Sequence, residues 1–262
     1  MEDIYFNHRK NLEEIHQLYY WNYGSEGVIY RIPDGKRNIL MKIFFDHYNR
    51  KPFPIETMQN KKRKIDVLKN ITLPNRVQAE GRIFLQDKFI GYLLGEAMNF
   101  HDFSLNTFTT FQKLEFLKRL RNQLTRFHEL GIIYGDLKSD NVLAHYNNYK
   151  LGCLCDLDNA QIGNLPIDIK SDYVDEFLYQ YGEVDAMLDW YVFNLFTLET
   201  IYGLDKTSCT VYEETRSYMD QYKGSCEALR KMQHITPQYE GSLLIDEPEF
   251  YKEIGIQYYK KN

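Results

Sequence analysis

Apolar positions along this chain fall into short unbroken runs and longer periodic stripes, and the two patterns predict different elements. Asn38-Ile39-Leu40-Met41-Lys42-Ile43-Phe44 and Phe89-Ile90-Gly91-Tyr92-Leu93-Leu94 are too short for a core helix and read as buried strands. Two further arms, Asn141 to His145 and Tyr149 to Cys155, flank the turn Tyr146-Asn147-Asn148 and predict a hairpin. From Thr110 to Leu130 the pattern changes. Leu114, Leu117, Leu120, Leu124 and Phe127 recur every three or four residues, which puts them on one face of a long helix that Gly131 stops. A second apolar helix is expected over Leu188-Asp189-Trp190-Tyr191-Val192-Phe193-Asn194-Leu195-Phe196, with one acid in its first turn. The basic run Lys61-Lys62-Arg63-Lys64 reads as a solvated helix face, with a docking patch for an acidic partner as the alternative.

Lys42 stands out in this pattern because it interrupts an apolar strand. A lone ammonium there is expensive to bury without an anionic partner, and the plain alternative is an edge-strand lysine in solvent. The loop Tyr134-Gly135-Asp136-Leu137-Lys138-Ser139-Asp140-Asn141 carries more chemistry. Phosphoryl transfer needs a carboxylate to orient the attacking hydroxyl, a cation near the moving phosphate and an oxygen ligand for the metal. Asp136, Lys138 and Asn141 offer all three from one loop.

This loop resembles the catalytic loop of the protein kinase-like superfamily, with Tyr134 and Gly135 where many members carry His and Arg. The resemblance runs from about Leu18 to Thr200. Asp156-Leu157-Asp158 looks like the metal-binding Asp-Phe-Gly, which implies that Asp156 and Asn141 hold magnesium. Asp158 then stands in the glycine place, where a second carboxylate could join the metal shell; it is read instead as a cap of the next turn. Tyr23-Gly24-Ser25-Glu26-Gly27-Val28-Ile29 is similar to a glycine-rich phosphate loop with Asn22 in place of its first glycine. By resemblance Gly24, Ser25 and Gly27 would approach the phosphates, Ile29 would cover the adenine, and Lys42 would contact the α- and β-phosphates. Glu96 and Met98 would lie in the segment that bonds the adenine edge.

Some departures accompany these matches. The family pairs its strand lysine with a glutamate on the next helix, which the resemblance places between Met58 and Ile71; here Lys64 occupies the glutamate's place, with Glu56 and Asp66 as the nearest acids. No Ala-Pro-Glu ends the segment between Asn159 and Asp189, where Pro166 is the sole proline and Asp175-Glu176-Phe177 is the nearest substitute. Asp189 is expected to anchor the backbone of the catalytic loop, and His128 to be a packing or hydrogen-bonding residue.

Composition narrows the class. A chain of 262 residues with 44% hydrophobic positions can bury a sizeable core, and its net charge of −5 argues against a general nucleic-acid binder. No run approaches a membrane span, and the mixed acidic start does not read as a secretory signal. Cys153 and Cys155 alternate on one strand and cannot bridge each other; with Cys209 and Cys226 they read as reduced thiols in a cytosol.

The expectation is an α+β, two-lobed kinase-like fold. Residues 1–95 would form a small antiparallel-sheet lobe with one helix, and residues 96–262 a mainly helical lobe. The implied activity is ATP- and magnesium-dependent phosphoryl transfer in the cytoplasm to a protein Ser or Thr, without nucleic-acid or membrane partners. A small-molecule alcohol as acceptor, or a pseudokinase acting as a nucleotide-binding scaffold, are the alternatives.

Overall fold

The structure is a computed structural model that describes residues 3–24, 26–34, 37–44, 53–72, 78–95, 100–102, 108–145, 148–168 and 184–202. Two compact units divide the chain, one of Met1–Met98 with Leu157–Asp168 and the other of Asn99–Asp156 with Ile169–Asn262. The described parts are α+β.

In the first unit the strands are β1 (Ile4–Phe6), β2 (Tyr20–Tyr23), β3 (Gly27–Asp34), β4 (Arg37–Phe44), β5 (Ala79–Leu85) and β6 (Lys88–Gly95). They form one mixed sheet in the order β1-β5-β6-β4-β3-β2. The expected antiparallel sheet is corrected at one edge, where β1 runs parallel to β5. Asp3 holds that edge, accepting from the Arg82 backbone N–H at 2.9 Å and from Lys69 Nζ at 3.0 Å. Arg82 and Lys69 hold the Asp3 carboxyl well below the ordinary carboxylate range.

Alternation along the strands sends Val28, Tyr30, Met41, Ile43 and Leu93 into one core, which also contains Leu12 of α1 (Arg9–Tyr19). The expectation of one helix in this unit therefore becomes two, because Leu12, Ile15 and Tyr19 supply an apolar stripe for that core. Ile29, Lys42 and Tyr92 sit opposite one another in register, so they share the other face. Phe44 also packs on Tyr92 there. Gly27 begins β3 close against β4. A Cβ there would lie 2.5 Å from the Ile43 carbonyl oxygen, so strand packing alone demands a glycine.

α2 (Ile55–Leu68) presents Met58, Lys61, Lys64, Ile65 and Leu68 as its buried residues. The solvated basic face is thus corrected. Arg63 is exposed and Lys62 half-buried, but Lys61 and Lys64 are 0% exposed. Helical spacing decides this, since Lys61 falls in the stripe that continues through Met58, Ile65 and Leu68.

In the second unit, β7 (Phe100–Asp102), β9 (Val142–His145) and β10 (Asn148–Leu154) form a three-stranded sheet, and β8 (Ile132–Ile133) precedes the loop that carries Asp136. β9 and β10 are the predicted hairpin. The long helix α3 (Thr110–Glu129) starts with a capping box between Thr109 and Gln112 and buries Phe116, Leu117, Leu120, Leu124 and Phe127. It ends at Gly131, whose φ of 71° lies in the left-handed region that glycine adopts without strain. α4 (Ala186–Tyr202) buries Leu188, Asp189, Val192, Phe193 and Phe196. Among the described residues no helix is long and apolar enough to cross a membrane.

Candidate functional site

The loop between β8 and β9 is held by one buried carboxylate. Asp189, at the start of α4, accepts the Tyr134 backbone N–H on Oδ2 at 2.7 Å and the Gly135 backbone N–H on Oδ1. His128 Nε2 lies 2.8 Å from the same Oδ2, with its ring edge-on to Trp190. Two backbone donors and an imidazole on one 1%-exposed side chain fix the loop's entry, which is the anchor the sequence predicts. Replacing Asp189 with Asn turns an amide N–H toward donors. The expected loss is about 3 kcal/mol, from two buried N–H groups left poorly satisfied. Urea denaturation measures it, and an unchanged midpoint would count against the anchor.

Tyr134 closes the loop from the other side. It is buried, and its hydroxyl donates to the Cys155 carbonyl at 2.6 Å; burial first, then nearby acidic groups, push its pKa well above the ordinary value. Cys155 N–H donates to the Asn141 carbonyl at 3.0 Å, so the end of β10 is tied to the loop that carries Asp136, Lys138 and Asn141. Asp156 follows directly at φ 58°, a left-handed conformation that costs a non-glycine residue about 1 kcal/mol and suits Asp better than most.

Within the loop, Asp136, Lys138 and Asn141 come together. Asp136 Oδ2 accepts from Lys138 Nζ at 3.0 Å and from Asn141 Nδ2 at 2.7 Å, and Asn141 Nδ2 also donates to the Asp136 carbonyl at 3.0 Å. Burial raises the Asp136 pKa from its ordinary value, opposed by the Lys138 charge and the hydrogen bonds from Lys138 and Asn141. The amide nitrogen of Asn141 faces Asp136, so its oxygen is the atom it can offer a metal. An amide oxygen and the Asp156 carboxylate are hard donors that suit magnesium, which keeps waters and shares substrate phosphates. Among the described residues no group of three His, Cys, Asp or Glu side chains is arranged for a metal.

In the first unit Lys42 is 4% exposed and its partner is unexpected. Its Nζ donates to Asp158 Oδ1 at 3.0 Å, not to Glu56 or Asp66. Glu56 is exposed and Asp66 accepts from Arg82 at 2.7 Å. Asp158 also receives Tyr92 OH on Oδ1 at 2.5 Å and Lys61 Nζ on Oδ2 at 2.9 Å. Reading Asp158 as a turn cap is therefore corrected, since its side chain serves three distant groups. Lys61 also reaches Glu26 at 3.1 Å and Asn159 Oδ1 at 2.5 Å, while Lys64 reaches Asp168 at 2.6 Å and the Asp158 carbonyl at 3.3 Å.

Burial works against the Asp158 charge, but Lys42, Lys61 and the Tyr92 hydroxyl bring its pKa far below the ordinary carboxylate range. For Lys61 burial is outweighed by Asp158 and Glu26, and its pKa rises; for Lys64 burial outweighs Asp168, and its pKa falls.

Gly24 is exposed, and its N–H donates to the Gly27 carbonyl at 2.9 Å. Ile29 is half-buried in β3 opposite Lys42. Ser25, Glu96, Met98 and Asp175-Glu176-Phe177 lie outside the described residues, as do Cys209 and Cys226. Cys153 and Cys155 form no disulfide. No family model matches this chain, and no curated protein matches it.

Proposed function

We propose that this chain is a phosphotransferase of the two-lobed protein kinase-like plan, moving the γ-phosphate of ATP to a hydroxyl with magnesium. The observation that carries this reading is the Asp136 carboxylate, buried and shared between Lys138 and Asn141 on a loop clamped by Asp189. A buried carboxylate with a raised pKa is suited to orient an acceptor hydroxyl and take its proton. In this reading Lys138 faces the γ-phosphate, and Lys42 the α- and β-phosphates. Asn141 and Asp156 would hold magnesium, whose contribution is to neutralise charge that develops on the phosphate oxygens.

Lys138, placed two residues after the base, favours a Ser or Thr of a protein as acceptor. Gly135 before the base is the feature that a small-molecule alcohol kinase shares. The pairing of Lys42 with Asp158 favours a second reading, a nucleotide-binding module without transfer.

The test is thermal stabilisation by ATP with and without magnesium, followed by γ-phosphate transfer to the protein itself and to a general protein substrate. Magnesium-dependent stabilisation with transfer supports the reading, stabilisation without transfer supports the second, and no stabilisation overturns both.

A pH prediction accompanies it. Only ionised Asp136 can accept a proton, so kcat/KM should fall as pH drops through a value raised from that of an ordinary Asp. Lys138→Met removes the charge that opposes the rise, and the acid limb should move to higher pH. A limb that stays in place, or moves lower, would remove Asp136 as the titrating base.

A further inference from the structure

We propose that Asp158 is the residue that positions Lys42 for nucleotide phosphates, with Lys61 of α2 as the second cation on the same carboxylate. This rests on the reading of Lys42 as a phosphate-binding residue. The geometry reverses the polarity expected between strand and helix. β4 supplies a cation, and the helix facing it supplies cations too, so the acid comes from the short turn Leu157–Asn159. Asp158 Oδ1 holds Lys42 Nζ at 3.0 Å and Tyr92 OH, while Oδ2 holds Lys61 Nζ at 2.9 Å. One carboxylate therefore bridges strand and helix with both oxygens engaged.

The helix has no acid able to do this. Its inward stripe is Met58, Lys61, Ile65 and Leu68, and Asp66 is engaged by Arg82. The surrounding charges balance, with Lys42, Lys61 and Lys64 facing Glu26, Asp158 and Asp168. An ammonium shared in this way has its position set by a rigid buried side chain. Asn159 and Asp168 further secure the same turn and the chain that follows it against α2.

The experiment uses the full chain and isothermal titration with Mg·ATP, Mg·ADP and adenosine. Adenosine is the control, because it carries no phosphate and a general loss of structure would weaken it equally. Asp158→Asn keeps the size and removes the charge. Asp158→Asn with Lys61→Met removes one charge of each sign and protects the fold.

In both variants the Kd for ATP and ADP should rise by about tenfold or more while adenosine stays within about twofold. ATP and adenosine affinities that fall together, or variants that bind ATP like the wild type, overturn the positioning role. So does a failure of both variants to fold, which makes Asp158 a structural keystone only. A wild-type chain that binds no ATP overturns the nucleotide reading itself, and the role of Asp158 with it.

Discussion

Asp158→Ala is expected to destabilise the protein by about 3–5 kcal/mol, the usual cost of stripping one partner from a buried ion pair. Here the stripped carboxylate serves two lysines and a tyrosine. Lys42 is 4% exposed and Lys61 fully buried, so neither ammonium gains water to replace the lost oxygens. Lys61 retains Glu26 and Asn159, which keeps the effect from being larger still.

The pH dependence follows from the direction of the shift. The Asp158 pKa is depressed in the folded chain, so its contribution is fully present above the ordinary carboxylate range. It is lost as pH falls from there toward the folded value. The stability difference between wild type and Asp158→Ala should thus be flat near neutrality and shrink at acid pH. Urea denaturation at neutral and acid pH measures this, and a loss under about 1 kcal/mol at neutrality would contradict the buried network.

Asp136→Asn should lower phosphoryl transfer by about 10²–10⁴-fold, the range assigned to a positioned general base. The same change should leave stability at neutral pH unchanged or slightly higher. The Asp136 pKa is raised on folding, chiefly by burial, so its ionised form opposes folding above that pKa. A neutral amide of the same shape removes this penalty and can still accept from Lys138. Catalysis and stability then move in opposite directions, as at a strained active site. Transfer that survives the substitution, or stability that drops by several kcal/mol, would return Asp136 to a structural role. Kinetics with ATP and equilibrium unfolding on one preparation decide it.

Much of the second unit was legible because its signals are local. The stripe Leu117, Leu120, Leu124 and Phe127 states α3, Gly131 states its end, and the β9–β10 hairpin closes over a short loop. Asp136, Lys138 and Asn141 lie within one loop, so their meeting needs no distant partner. The anchoring role of Asp189 rests on the family resemblance, because an acid in the first turn of an apolar helix serves the helix dipole equally well.

The first unit is less legible in the sequence. Its α1 and the parallel strand β1 lie before the motifs that guided the reading, and β1 depends on Asp3 meeting Arg82 far along the chain. Lys61 could have been found, since it occupies an apolar stripe position between Met58 and Ile65; a solvated lysine has no reason to sit there. The composition of the run Lys61-Lys62-Arg63-Lys64 concealed its two-sided geometry.

Local sequence specifies the periodic elements, the loop that gathers Asp136, Lys138 and Asn141, and the need of Lys42 for an anion. Each of these follows from neighbours a few residues apart. Which anion that is depends on packing in three dimensions. Asp158 and Lys42 are brought together by the packing of β4, α2 and the turn Leu157–Asn159, and sequence spacing carries no information about a contact between such distant positions. Burial selects the pairing, because each of the three lysines must find its carboxylate within the fold.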